Sequence, residues 1–78
     1  MVLKKMKWKQ LMKVGDLVMF VDEGIYAKWF YGQMAICESS TPEKKSCRVR
    51  WLQPVKYFQK YTSCSDFSWD KFEVYPSE

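Results

Sequence analysis

Residues 47–52, with the sequence CRVRWL, alternate apolar and basic side chains more regularly than any other part of the chain. In a β-strand, successive side chains point to opposite faces of the sheet. We therefore expect Cys47, Val49 and Trp51 to share one face, and the two arginines between them to share the other with Leu52. The segment predicts a strand with one buried face and one basic face.

Four further segments have the composition of β-strands, and turn signals separate them. No segment between them is long enough for a helix that crosses over a parallel sheet, so we expect the strands to be antiparallel. We predict a mainly β fold, a small five-stranded antiparallel barrel, with one short helical turn over residues 67–70 before the last strand. The four segments are residues 17–21, 29–38, 55–62 and 71–75, and a polar hairpin tip over residues 39–46 follows the second strand.

Basic residues are concentrated at the start of the chain. The 78 residues include 13 lysines and arginines and 9 acids, for a formal charge of +4. Five of the lysines and none of the acids lie in residues 1–13, which leaves eight basic and nine acidic groups in the rest. We predict a basic N-terminal arm over residues 1–13, which is helix, strand or disordered, and a nearly neutral folded domain over residues 14–76.

The residues that common enzyme mechanisms and metal sites need are missing from the chain. It has no histidine to serve as the base beside a nucleophile, and its three glycines are isolated, so they do not form a phosphate loop. Its three cysteines form no Cys-x-x-Cys pair. We expect no enzymatic activity, no cofactor, no metal site and no disulfide framework, and we interpret Cys37, Cys47 and Cys64 as small apolar core residues.

The same sequence features bear on location in the cell. The lysine-rich start is not followed by an apolar stretch of the length that a secretory signal needs, and no run approaches the roughly 20 apolar residues that span a bilayer. Unpaired cysteines favour a reducing compartment. We expect a protein of the cytoplasm, or of the host cytoplasm if the source is viral, that does not bind a membrane.

Four segments occur in an order that is typical of one group of small barrels: VGDLV at residues 14–18, WFYGQMA at 29–35, RVRWL at 48–52 and DFSWDKFEV at 66–74. In this order they resemble the SH3-like barrels, the Tudor type in particular. The resemblance covers about residues 14–75. It implies a five-stranded barrel whose ligand surface is formed by loops and strand ends.

The chain departs from the Tudor pattern after the third strand, where residues 52–55 read LQPV in place of an Asp-Tyr-Gly-type segment. Recognition of methylated lysine by an aromatic cage is therefore the least favoured of the functions that we consider. The small size of the chain, with its many lysines and tryptophans, also resembles the early accessory proteins of bacteriophages. That resemblance implies binding to host proteins or to nucleic acid.

The chain has more aromatic rings than one small core can hide. It contains four tryptophans, five tyrosines and five phenylalanines. The rings that do not fit in the core either cover its edges or form a recognition surface for bases or a protein partner. We expect Phe20, Trp51, Phe67 and Phe72 in the core, and rings near loops or strand ends at Tyr26, Trp29, Tyr31, Tyr57, Phe58 and Tyr61.

Basic residues and rings are interleaved in the second half of the chain. Arg48 and Arg50 are expected on one outer face of the third strand, where they would form a phosphate-facing stripe with nearby lysines. We predict a nucleic-acid-binding module, and the alternative is a phage-type adaptor or inhibitor that docks on an acidic host protein surface. The predicted binding residues are Lys4, Lys5, Lys7, Lys9, Lys13, Trp29, Tyr31, Arg48, Arg50, Lys56, Tyr57, Lys60 and Tyr61.

Overall fold

Five antiparallel strands form one sheet in the computed structural model, which describes residues 12–75. A one-turn helix, α1, lies between the first two strands, and a 3-10 helical turn precedes the last. The predicted mainly β class and the five antiparallel strands are confirmed. A helical turn before the last strand is also confirmed, but it spans Trp69–Lys71 and not residues 67–70, because Phe67 and Ser68 extend β4. The elements are β1 (Leu17–Phe20), α1 (Ala27–Phe30), β2 (Met34–Thr41), β3 (Ser46–Tyr57), β4 (Lys60–Ser68), the 3-10 turn (Trp69–Lys71) and β5 (Phe72–Tyr75).

The strands are ordered β4-β3-β2-β1-β5 across the sheet. Consecutive strands β1 to β4 are neighbours, so short connections join them, and β5 returns to the free side of β1. Leu17 pairs with Tyr75 and Phe20 with Phe72 in this last ladder. The first and the last strand are therefore hydrogen-bonded to each other.

The second strand begins later than the sequence predicted. Trp29 and Phe30 lie in α1, and the chain reverses at Gly32, which has φ of +83°, before β2 begins at Met34. Phe30 is 2% exposed, and its ring stacks on that of Trp51 at 4.9 Å between centroids. Because this packing buries a large ring, it outweighs the moderate preference of aromatic residues for strands. The strand predicted over residues 29–38 is wrong in its first half.

The third strand continues through the point at which the sequence predicted a break. Arg50 pairs with Cys64 and Val55 with Thr62, so the four residues 51–54 of β3 face a single residue of β4. Extra residues of this kind form a bulge, and a bulge accommodates Pro54 because the residue there need not donate a hydrogen bond to the ladder.

The fourth strand also begins and ends later than the sequence predicted. β3 continues to Tyr57, the chain turns at residues 58–59, and β4 runs from Lys60 to Ser68. The strand predicted over residues 55–62 is therefore wrong, because it joins the end of β3 to the start of β4. The hairpin tip between β2 and β3 is shorter than predicted and consists of residues 42–45.

The core is built around the ring of Phe20, which is fully buried. Its centroid lies 5.0 Å from that of Phe67, 5.5 Å from Phe72, 5.7 Å from Phe30 and 6.4 Å from Trp51. Three of the four predicted core rings are buried, and Phe67 is half-buried against the core. One central ring therefore connects β1 with β3, β4, β5 and α1.

The described chain is held to the sheet from its first residue. Met12, inside the predicted arm, is 1% exposed and belongs to the core. Its carbonyl accepts a hydrogen bond of 2.8 Å from Ser40 Oγ, which accepts one of 3.1 Å from Trp69 Nε1. The Met12 sulfur also lies 3.9 Å from the Cys47 sulfur. These contacts join the start of the domain to β2, β3 and the 3-10 turn.

Candidate functional site

The predicted binding residues occupy several separate places. Lys4, Lys5, Lys7 and Lys9 lie outside the described residues, and Lys13 is exposed just before β1. Tyr31 is 52% exposed at the end of α1. Arg48 and Arg50 lie midway along β3. The structure brings together only the remaining five, which are Trp29 on α1 and Lys56, Tyr57, Lys60 and Tyr61 on the β3–β4 hairpin.

Four rings pack together where α1 meets the tip of the β3–β4 hairpin, and we call Tyr26, Trp29, Tyr57 and Phe58 the tip cluster. The centroid of Trp29 lies 4.8 Å from that of Tyr57 and 4.7 Å from that of Phe58. Tyr57 and Phe58 are 4.6 Å apart, and Tyr26 lies 6.3 Å from Tyr57. Three of these rings also pack against the core, whereas Phe58 is 65% exposed. Three rings packed on the core therefore support one protruding ring.

Phe58 occupies an unusual backbone position. Tyr57 pairs with Lys60, so the hairpin loop has two residues, and Phe58 is the first of them with φ of +60°. Positive φ at this position is the pattern of a type II′ turn, which strongly favours glycine. The sequence analysis expected the Phe58 ring near a loop or strand end, but it did not include Phe58 among the predicted binding residues, and it placed the residue within the strand predicted over residues 55–62.

Three lysines lie at this end of the sheet, and Lys56 is on the face opposite to the tip cluster because side chains alternate along β3. Lys28 Nζ lies 4.9 Å from the centroid of the Trp29 ring. Lys60 pairs with Tyr57, and Lys56 pairs with Tyr61, whose ring is 70% exposed. None of the three lysines forms an ion pair with another residue in the range 12–75. Exposed rings and unpaired positive charge therefore coincide at this end of the sheet.

Unlike these lysines, the two arginines of β3 are paired with carboxylates of the sheet. Both are exposed and alternate with buried residues, so they share one outer face as the sequence indicated. Arg48 Nε lies 3.2 Å from Asp66 Oδ1, and Arg50 donates a hydrogen bond to Glu38. This hydrogen bond raises the pKa of the Arg50 guanidinium above its ordinary value. Carboxylates within the sheet therefore offset the charge of both arginines.

Two of the three cysteines are buried. Cys37 is 1% and Cys47 4% exposed. Burial raises the pKa of both thiols, that of Cys47 to about 12, with smaller contributions from nearby acidic groups. Cys64 is half-buried, and its sulfur lies 3.7 Å from Glu38 Oε1. The interpretation as buried core residues fits Cys37 and Cys47 and does not extend to Cys64.

This difference predicts selective thiol labelling. At about pH 8, a maleimide should modify Cys64 first, because thiolates are the reactive species and burial keeps Cys37 and Cys47 protonated and covered. Mass spectrometry of the native protein should show one rapid adduct, and all three should appear once urea unfolds the chain. The Cys64→Ser variant should lack the rapid adduct. Equal labelling of three sites in the native protein would contradict the described burial.

Within residues 12–75, no group of three or more potential metal ligands occurs. No described helix is long and apolar enough to cross a membrane. A scan against protein-family models and searches of curated proteins and of solved structures find no match to this chain. The features that bear on function are the tip cluster, the lysines at this end of the sheet and the charge of the N-terminal segment.

Proposed function

We propose that this chain is a non-enzymatic module that binds nucleic acid, through its lysine-rich N-terminal segment and the surface around the tip cluster. The observation that carries the proposal is the coincidence of exposed rings with Lys28, Lys56 and Lys60, which have no ion-pair partner among residues 12–75. Lysines bind phosphates, and aromatic rings stack on bases. A cation without an ion-pair partner gains more binding free energy from a phosphate than a cation that is already paired with a carboxylate.

The N-terminal segment supports the same function. Its five lysines carry no compensating acid, so they repel one another until a polyanion neutralises them. Neutralised phosphates release their condensed counterions, and this release is the main source of affinity for such segments. In the proposal, the segment supplies electrostatic attraction and the tip cluster supplies contacts with bases.

The fold identification is part of the proposal. We place the sheet among the SH3-like barrels of the Tudor type. The support is the strand order, in which β5 lies beside β1, together with the 3-10 turn before β5. Three free cysteines fit a reducing compartment, so we place the protein in the cytoplasm, or in the host cytoplasm if the source is viral.

The alternative function is a protein-binding adaptor or inhibitor that docks on an acidic surface. Two exposed aliphatic side chains favour it, Ile25 at 79% and Leu52 at 56% exposed. Aliphatic groups do not stack on bases as rings do, but they are common contacts in protein interfaces. The two functions share the lysines and differ in the ligand.

An affinity purification with and without nuclease separates the two functions. Tagged protein from a cell lysate should retain nucleic acid, and the bound material should be lost after nuclease treatment. In binding assays, Lys56→Gln with Lys60→Gln should reduce the salt slope by about 1.4, from about 0.7 for each phosphate contact. The matched control, Lys44→Gln with Lys45→Gln, removes the same charge at the opposite end of β3 and should change the slope less. A protein partner that stays bound after nuclease treatment would support the alternative.

A further inference from the structure

The most exposed member of the tip cluster is supported from one side by other rings. Phe58 is at the apex of a two-residue loop, and one side of its ring rests on Trp29 and Tyr57. The remaining surface of the ring is open to solvent, since 65% of the residue is exposed. A ring held in this way loses little conformational freedom when a flat ligand stacks on it.

The backbone conformation of Phe58 is one that a bulky side chain rarely adopts. A φ of +60° is unfavourable for a bulky residue and costs nothing for glycine. The ring buries only about a third of its surface, so the fold gains little from it. Strained positions that bring the fold little stability are concentrated at functional sites, and this observation points to a role for the ring itself.

The hairpin also carries charge and a second ring. Lys60 follows the loop and is the cross-strand partner of Tyr57, whereas Lys56 and Tyr61 are cross-strand partners on the opposite face of the hairpin. Both lysines lack an ion-pair partner among the described residues. Phe58 and Tyr61 are therefore two exposed rings of this hairpin, which has on each face one lysine without an ion-pair partner among residues 12–75. This arrangement suits a strand whose bases stack on rings while its phosphates contact lysines.

We infer that Phe58 is a stacking site for an unpaired base, and that the protein prefers single-stranded over double-stranded nucleic acid. The inference rests on the proposed function and specifies its ligand. In a duplex, the faces of the bases are covered by their neighbours, so a protruding ring gains no stacking partner there. In a single strand, the bases are free to splay apart and stack on aromatic side chains.

The test compares an oligothymidylate of about 12 nucleotides with a duplex of the same length, at one fixed low salt concentration. Fluorescence anisotropy should show that the unmodified protein binds the single strand about tenfold or more tightly. Phe58→Gly, which relaxes the backbone, and Phe58→Leu, which keeps an apolar side chain, should each weaken binding to the single strand by about tenfold. Phe58→Trp should retain the affinity.

Two controls separate the role of the ring from a role in folding. Thermal unfolding of Phe58→Gly should show a midpoint no lower than that of the unmodified protein, because glycine tolerates the turn. Val14→Ala changes another residue of similar exposure, 67%, and should leave binding unchanged. Single-strand binding that is equal in Phe58→Gly and the unmodified protein would overturn the inference and leave the proposed function standing. Failure to bind either nucleic acid would overturn both and favour a protein ligand.

Discussion

Phe20→Ala is expected to destabilise the fold by about 3–5 kcal/mol. The ring of Phe20 contacts four other aromatic rings from four different elements. Its removal leaves a cavity that none of these rings can fill without losing its own packing. Since the core of a domain of this size rarely supplies more than about 3–5 kcal/mol of stability, the variant should be largely unfolded or close to it at 37 °C. Urea unfolding followed by tryptophan fluorescence measures the loss.

Two further variants keep this prediction testable if Phe20→Ala does not fold. Phe20→Leu retains most of the side-chain volume and should cost about 1–2 kcal/mol. Phe58→Ala makes the same chemical change at an exposed ring and should stay within about 0.5 kcal/mol of the unmodified protein. A loss below about 1 kcal/mol for Phe20→Ala would mean that the ring is not at the centre of the core.

Replacing the five lysines of residues 1–13 by glutamine is expected to remove most of the affinity for nucleic acid at low salt. Each phosphate contact on a single strand contributes about 0.7 to the slope of log K against log salt, so five contacts contribute about 3.5. Over a fourfold increase in salt, this slope corresponds to a loss of roughly 100-fold. The variant should show a correspondingly shallower slope in anisotropy titrations.

The matched control replaces the same lysines, at positions 4, 5, 7, 9 and 13, by arginine. This variant keeps the charge, so its slope should equal that of the unmodified protein. The comparison separates the effect of charge from any effect of the changed sequence on folding. An unchanged slope in the glutamine variant would contradict the role of the N-terminal segment.

The sequence predicted the strands well where apolar and polar residues alternate, because this alternation indicates which side chains are buried. Cys47, Val49 and Trp51 are buried, as their spacing indicated. The last strand was also predicted closely, because a turn signal precedes it and Pro76 ends the pattern. These signals are local, and each one is decided by neighbours in the sequence.

The errors arise where contacts distant in sequence decide the conformation. Phe30 joins a helix because its ring stacks on Trp51, which lies far along the chain and on another strand. Pro54 remains inside β3 because a bulge against β4 removes the need for its missing hydrogen-bond donor. Neither contact can be read from the residues around Phe30 or Pro54.

The same limit applies to the candidate site. The sequence indicated that Arg48 and Arg50 share one face, but their carboxylate partners come from two other strands. Only the folded sheet shows that these charges are offset. The position of Phe58 likewise depends on the register of β3 with β4, which places it in the turn. The lysines of the β3–β4 hairpin were predicted because their interleaving with rings is visible in the sequence.

Direct binding of a fluorescent single strand across a range of salt concentrations is the most direct test of nucleic-acid recognition by this chain. The account predicts a linear fall of log K with log salt, with a slope of about −3.5 from the N-terminal lysines and a further contribution from the hairpin lysines. A dissociation constant that does not change with salt, or the absence of binding at low salt, would contradict it.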